Sequence, residues 1–481
     1  MKKTLIRLMK LILAVILFCI ISAVLYTRFE WKDTEGISQF YDLDEQLVDV
    51  IFFGSSRCYC TVNEAILWND YGIPAYNMGE SSQNIGNTYF YMKEALKTQS
   101  PKYILVEVSF AALPFVPDNS YADFYRNTIN MKWSQNFMDN LEYSSSLFKA
   151  PDQLKKEVFL KVPVIHSRYK ELTQRDFQKP VHFKARYSGS WSSEPYDTPK
   201  VKEWQYSIKI GKNELNYLKK MIELAKENDT EIGFFVAPFC VDEYNQALLN
   251  SIKEFANSEG VEFINFNDYY EEQGFDFATD MRAENHIGSH INNYGSDKIT
   301  RSFGDYLSLT CGLPDKRGNE AYVKWDEMGE VWEHEIRNHQ LSTMEDLESY
   351  IVALNRTIDT TYVISLDGDY QSGMTGKHFV TPLLQFLEFE PDFYETGGIA
   401  VKSGPDVLFS SHGNKDYIWH TELGYHDLAV TSKEEVSRII FNNQDYKKVT
   451  DGLNLLVYDN YTGELIDAVG FDASNGFSCQ R

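Results

Sequence analysis

Hydrophobic and polar positions divide the chain into three regions. From Leu11 to Tyr26 the residues are almost uniformly apolar, with Lys2, Lys3, Arg7 and Lys10 ahead and Arg28 and Lys32 behind. Such a run lies at the short end of what crosses a bilayer, about 17–25 residues. The basic flank ahead of it places that end inside. The expectation is a cytoplasmic tail over 1–10, a transmembrane anchor over 11–27, and the rest of the chain extracellular on a single-pass membrane protein. A cleaved signal peptide is the alternative, because Ser22 and Ala23 are small. No A-x-A site is evident, and Cys19 lacks the context of a lipoprotein cleavage site.

Beyond the anchor, short continuous apolar runs alternate with amphipathic stretches. Val48–Phe53, Pro74–Met78, Lys102–Ser109, Glu231–Pro238 and Glu262–Asn267 read as strands. Residues 84–98, 211–228, 242–259 and Asn293–Leu307 read as helices, with apolar positions on one face. Strands of this kind separated by helices predict a parallel sheet with right-handed crossovers in a three-layer, flavodoxin-like α/β domain over 45–311. The alternation breaks over 112–205, which is rich in aromatics, Ser and Pro. That stretch is expected as an insertion with two or three short helices, capping the carboxyl edge of the sheet. A polar, acidic linker is expected over 312–345. A smaller mixed α/β domain follows over 346–481, with strands at Tyr362–Leu366, Gly398–Lys402 and Val407–Ser410 and a helix at Phe379–Phe389. A hairpin joins Leu453–Tyr458 to Glu464–Phe471 through Asn460-Tyr461-Thr462-Gly463.

Composition narrows the function classes. With 46 basic and 70 acidic residues the formal net charge is −24, and no long basic run occurs outside the N-terminus. That excludes a nucleic-acid binder. The six cysteines are scattered: Cys58 and Cys60 form a C-x-C with no second pair at zinc spacing, and the others stand alone. They read as ordinary thiols. His378, His412, His420 and His426 also lack metal-ligand spacing. Neither a metal nor another cofactor is called for.

Two places carry chemistry. Gly54-Ser55-Ser56 ends the first strand, so Ser56 sits at the sheet edge where α/β ligands bind. His290 lies in Ser289-His290-Ile291-Asn292-Asn293-Tyr294-Gly295, just ahead of the last helix of the domain. Loops after the first and last strands open at one edge, so this histidine is placed to be a general base for the serine hydroxyl.

The run Ile51–Val108 resembles the SGNH-hydrolase-like, DltD-like proteins of Gram-positive cell surfaces. The resemblance continues through His166–Leu172, Asn265-Phe266-Asn267-Asp268, His290–Gly295 and Leu313–Gly318, roughly residues 45–330 in all. It implies an SGNH-type fold with Ser56 as nucleophile and His290 as base. The implied oxyanion hole is the backbone N–H of Ser56 and of Gly79, with Gln83 or Asn84 adding a side-chain donor. Two departures stand out. Val106-Glu107-Val108 occupies the place of the usual Gly-x-Asn, and Ile287 stands where an Asp usually precedes the histidine. Asp280 and Glu284 are the nearby acids left as candidates for orienting His290. The resemblance implies a membrane-anchored serine acyl esterase or O-acyltransferase acting on a cell-wall or extracellular polysaccharide, partnered by a membrane-bound O-acyltransferase. The alternative is a non-catalytic surface binding or scaffold protein that has lost the triad acid. Gly452–Tyr458 with Thr462-Gly463-Glu464 and Phe471-Asp472 resembles the interleukin-like EMT inducer domain, which implies a carbohydrate-related or protein-binding accessory module.

Overall fold

The computed structural model describes residues 2–29, 35–112, 121–161, 169–170, 172, 182–371, 380–413, 415–433 and 436–481. They fall into two units, Met1–Gly329 and Glu330–Arg481. Most of the His166–Leu172 motif, Lys32 and His378 lie outside the described residues.

Lys2–Phe29 (α1) is a single helix. Its window Leu5–Ser22 has a mean hydropathy of 2.5 with none of it buried, so it is long and apolar enough to cross a membrane. A short helix, Glu35–Phe40 (α2), follows, with Ile37 and Phe40 buried.

The first unit is organised by five parallel strands: Val50–Phe53 (β1), Ala75–Asn77 (β2), Tyr103–Glu107 (β3), Glu231–Val236 (β4) and Glu262–Asn265 (β5). Their order is β2-β1-β3-β4-β5, the flavodoxin-like arrangement. Every residue of β1 is fully buried, which is why the run is continuously apolar rather than alternating. Helices Ser56–Tyr59 (α3), Glu64–Tyr71 (α4), Ile85–Ala95 (α5), Gln135–Leu147 (α6), Asp152–Leu160 (α7), Lys212–Glu227 (α8), Glu243–Glu259 (α9) and Asn293–Asp305 (α10) belong to the same unit. Phe303 of α10 packs edge-on to Phe52, Phe235 and Phe266 at 5.0–5.4 Å, bonding the last helix to the middle of the sheet. Local signals set the helix ends: Asn63 and Asp242 cap α4 and α9, and Gly72 and Gly260 close them in left-handed conformation. The expected α/β class is therefore the observed one.

The 112–205 stretch contains α6 and α7, and its last part is extended. Between 188 and 196 the chain runs beside other loops: Ser188 N donates to Tyr59 O, Glu194 N to Met281 O and Tyr196 N to Phe277 O, while Ser190 O accepts from Asn293 N. The 312–345 stretch differs from a linker. Leu313, Tyr322, Trp325 and Met328 are buried, Trp325 Nε1 donates to Ala75 O at 3.0 Å, and Val323–Thr343 (α11) is one helix. Glu330 and Glu333 are exposed while Trp325, Met328, Val331 and Trp332 are buried, so a composition that looks polar on average conceals an amphipathic helix.

In the second unit, Leu347–Asn355 (α12) precedes a six-stranded antiparallel sheet. It is built from Thr360–Asp367 (β6), Gly398–Ser403 (β7), Asp406–His412 (β8), Gly452–Asp459 (β13), Glu464–Asp472 (β14) and Ser478–Gln480 (β15). A second antiparallel sheet holds Tyr417–Leu423 (β9), His426–Lys433 (β10), Val436–Phe441 (β11) and Gln444–Asp445 (β12). Tyr350, Ile351 and Leu354 of α12 cover one face of the larger sheet, against Leu455, Val457 and Phe471. Leu428, Val430 and Ile439 of the smaller sheet cover the other, against Val363, Val401 and Leu456.

Candidate active site

The chain leaves β1 through Gly54, whose φ of +149° is open to glycine, and where a Cβ would lie 2.6 Å from the Cβ of Glu107. Ser55 caps the following turn by accepting from Arg57 N at 3.2 Å, which puts Ser56 at the first position of α3. A first-turn N–H has no partner within its own helix. That of Ser56 has no acceptor among the described residues. Its side chain is half-exposed at the carboxyl edge of the sheet.

His290 reaches it from a loop closed by the Met281–Ile291 bridge and by Arg282 N donating to His290 O at 3.1 Å. Nε2 of His290 is 2.7 Å from Oγ of Ser56, and Nδ1 is 2.5 Å from Oε1 of Glu284. A carboxylate only accepts, so in the neutral ring Nδ1 carries the proton and Nε2 is left to accept from the serine. Burial pushes the Glu284 carboxyl up, but the hydrogen bond and charge of His290 and the charge of Arg282 outweigh it, and the carboxyl is held below its ordinary range. Glu284 lies six residues before the histidine rather than three. The loop makes the difference: Asn285, His286 and Gly288 all have positive φ (52°, 64° and 61°), folding the chain back so that Glu284 faces the ring. Ile287, at the usual acid position, is 66 % exposed and points to water.

Asp280, the other candidate acid, is elsewhere. It is buried, takes Lys298 Nζ at 2.6 Å and Asp276 N at 2.8 Å, and so pins the start of α10 to the 276–280 turn. The expected oxyanion donors also need correction. Gly79 N donates to Asn77 Oδ1 at 3.0 Å. Gln83 is committed at both ends, accepting from Gly54 N and Thr88 Oγ1 and donating to Met78 O. Asn84 Oδ1 caps α5 at Gly86 N and accepts from Tyr143 OH at 2.7 Å. These polar groups hold the β2–α5 loop in shape, which engages the Gly79 N–H and one of the two N–H donors of Gln83. Of the expected set, Ser56 N–H is the backbone donor left uncommitted.

Two further groups shape the site. Glu107, at the carboxyl end of β3, is buried; it accepts from Ser109 N and Oγ (3.1 and 2.9 Å) and from Ser55 Oγ at 3.4 Å. Burial raises its carboxyl, partly opposed by the charge of Arg57. Arg57 is itself buried, lies 4.2 Å over the ring of Phe239, and donates to Ser109 Oγ and Ser289 Oγ at 3.4 and 3.3 Å. Burial lowers it, against the charges of Glu107 and Glu284. It therefore ties together the loops that carry Ser56, Glu107 and His290. A charged residue ending an apolar strand at the sheet edge, and an arginine beside the serine, were the signals in the sequence. Glu194 had no signal. Its carboxylate accepts from Glu284 N and His286 N, both at 3.1 Å, and from Tyr196 OH at 2.8 Å, and it lies 2.7 Å from His286 Nδ1. It clamps the loop on which Glu284 stands.

All six cysteines are free, and no cluster able to hold a metal occurs among the described residues.

No family model matches the chain, and no curated protein matches it. Among solved structures it is similar to a candidate lipolytic protein of the G-D-S-L family from Desulfitobacterium hafniense, at 10% identity and a TM-score of 0.29, over 54% of this chain and 98% of that one. It is also similar to a candidate acylhydrolase from Bacteroides fragilis, at 12% identity and a TM-score of 0.27, over 57% of this chain and 94% of that one.

Proposed function

We propose that the chain is a membrane-anchored serine acyl esterase or O-acyltransferase of the SGNH type, acting on a cell-wall or extracellular polysaccharide. The observation that carries the chemistry is the relay Ser56 Oγ–His290 Nε2 (2.7 Å) and His290 Nδ1–Glu284 (2.5 Å). Ser56 Oγ attacks the carbonyl carbon of an acyl ester while His290 takes its proton, and Glu284 stabilises the imidazolium that forms. The developing oxyanion meets the Ser56 N–H. The tetrahedral intermediate collapses, the leaving alcohol takes the proton back from His290, and an acyl-serine remains. Water or a sugar hydroxyl, deprotonated by the same histidine, then removes the acyl group. In a transferase the donor would be supplied by a membrane-bound O-acyltransferase. The polysaccharide and Gram-positive surface setting, and an accessory role for the second unit as an interleukin-like EMT inducer-type module, are supported by the sequence resemblance.

The alternative, a scaffold that lost its acid, is weakened by Glu284 standing at Nδ1 of the base. The commitment of Gly79 N–H is the observation in its favour. A fluorophosphonate probe separates the two. The enzyme reading expects labelling of the intact chain that Ser56→Ala and His290→Ala both abolish. A folded chain that resists the probe at neutral pH supports the scaffold.

A further inference from the structure

The amino edge of the parallel sheet, away from Ser56, carries an exposed apolar face set among lysines. Trp133, Phe159 and Leu160 are 65 %, 44 % and 54 % exposed. They adjoin, because Trp133 Nε1 donates to Phe159 O at 2.9 Å. Lys132 is exposed immediately before Trp133, Lys97 Nζ donates to Ser134 Oγ at 3.3 Å, and Lys156 is exposed one turn before Phe159 and Leu160 on α7. Lys97 is also paired with Glu94. A lysine-bordered apolar face is unexpected on a chain of net charge −24.

Its place in the fold is informative. Helix α5 is capped by Asn84, in the loop that leaves the carboxyl end of β2, and finishes at Ala95, two residues before Lys97. The chain that enters β1 passes the same end, with Gln46 N donating to Thr98 O and Val48 N to Gln99 Oε1. The segment that follows α2 also passes here. The Tyr41 hydroxyl accepts from Lys132 N at 3.1 Å, and Lys132 Nζ lies 4.1 Å over the Tyr41 ring. The residues between Phe29 and Glu35 reach about 20 Å at full stretch, and α2 adds about 9 Å along its axis. The end of α2 is thus held within about 30 Å of the end of α1, and Tyr41, the next residue, meets the face at Lys132.

We propose that this face rests on the anionic lipid headgroups of the bilayer that α1 spans. The inference depends on α1 being a retained anchor. Tryptophan favours the membrane interface. Lysines nearby are drawn to anionic lipid, and their aliphatic stems extend the apolar surface. The consequence concerns the active site. The 11 residues of α5 span about 16 Å between the two edges of the sheet. With the amino edge on the membrane, Ser56 is turned away from the lipid, toward a polymer outside it rather than toward acyl chains in the bilayer.

The test uses the full chain in vesicles of phosphatidylcholine and phosphatidylglycerol that carry a nitroxide quencher high on the acyl chain. Tryptophan emission should be quenched. Trp133→Phe should remove part of that quenching and Trp191→Phe should not. Replacing Lys97, Lys132 and Lys156 together by Gln should cut the Trp133-dependent quenching by at least about twofold. A chain that floats with the vesicles but whose quenching is unchanged by Trp133→Phe overturns the docked face and leaves the anchor standing. A chain that does not float overturns the anchor and the face with it. Trp133-dependent quenching that the triple Gln variant leaves intact overturns the recognition of anionic lipid.

Discussion

Glu284 meets Nδ1 of His290 at 2.5 Å although it precedes the histidine by six residues and sits on a loop with three left-handed backbone positions. Asp280, the other carboxylate near in sequence, faces Lys298 instead. The two carboxylates therefore predict opposite outcomes. Glu284→Gln should slow fluorophosphonate labelling on the order of 10⁴-fold while the protein stays folded. Asp280→Asn should leave the labelling rate nearly intact and cost about 1–3 kcal/mol of stability, because Lys298 Nζ and the Asp276 N–H then share a neutral amide oxygen in place of a carboxylate. Labelling kinetics beside thermal unfolding decide between them; the reverse pattern would move the acid role to Asp280.

Glu194 should act as a positioning residue. It holds two backbone N–H groups of the Glu284 loop and pairs with exposed His286. Glu194→Gln keeps the shape but weakens the clamp. A displacement of about 1 Å in the acid costs around 10²-fold, so kcat on a model ester should fall by about that factor with KM little changed. An unchanged kcat would make Glu194 a surface residue only.

Acid should erase what Glu284 contributes to stability. Its carboxyl is held below the usual range in the folded state, so the folded chain binds fewer protons than the unfolded one in that window. The contribution is fully present above the ordinary carboxylate pKa and disappears as the pH falls through the depressed value. The gap in unfolding free energy between wild type and Glu284→Gln should therefore be present at pH 7 and narrow below about pH 4. A gap that widens toward acid contradicts the assignment.

Arg57 and Glu107 should prove coupled. Removing the cation alone, in Arg57→Met, leaves a buried carboxylate uncompensated, a change that typically costs about 3–5 kcal/mol. Adding Glu107→Gln should recover much of that loss. Chemical denaturation of the two single variants and the double variant gives the coupling directly, and additivity would show that the two charges do not act on each other.

The strands and helices of the first unit were legible because burial imposes its own pattern. VIFF in β1 is apolar at every position since both faces of a parallel sheet are covered. Ser56 and His290 were legible for a related reason: a strand order with crossovers brings the loops after the first and last strands to one edge, whatever the intervening sequence. Average polarity misled over 312–345, where an amphipathic helix buries Trp325, Met328 and Trp332 among acidic neighbours. In the second unit, β9, β10 and β11 went unread, because such strands are half exposed and their pairing is set by partners distant in sequence.

The chain by itself determined the anchor-like helix, the parallel sheet, and the meeting of Ser56 and His290 at its carboxyl edge, which follow from local periodicity and topology. Only the tertiary structure decided which acid serves the histidine, that Glu194 clamps that acid from about 90 residues away, and that Gly79 and Gln83 are occupied elsewhere. Those outcomes depend on left-handed turns and on side chains competing for the same donors. Hydrogen bonds of that kind are chosen by distances of a few ångströms, which a one-dimensional pattern of hydrophobic and polar residues does not encode.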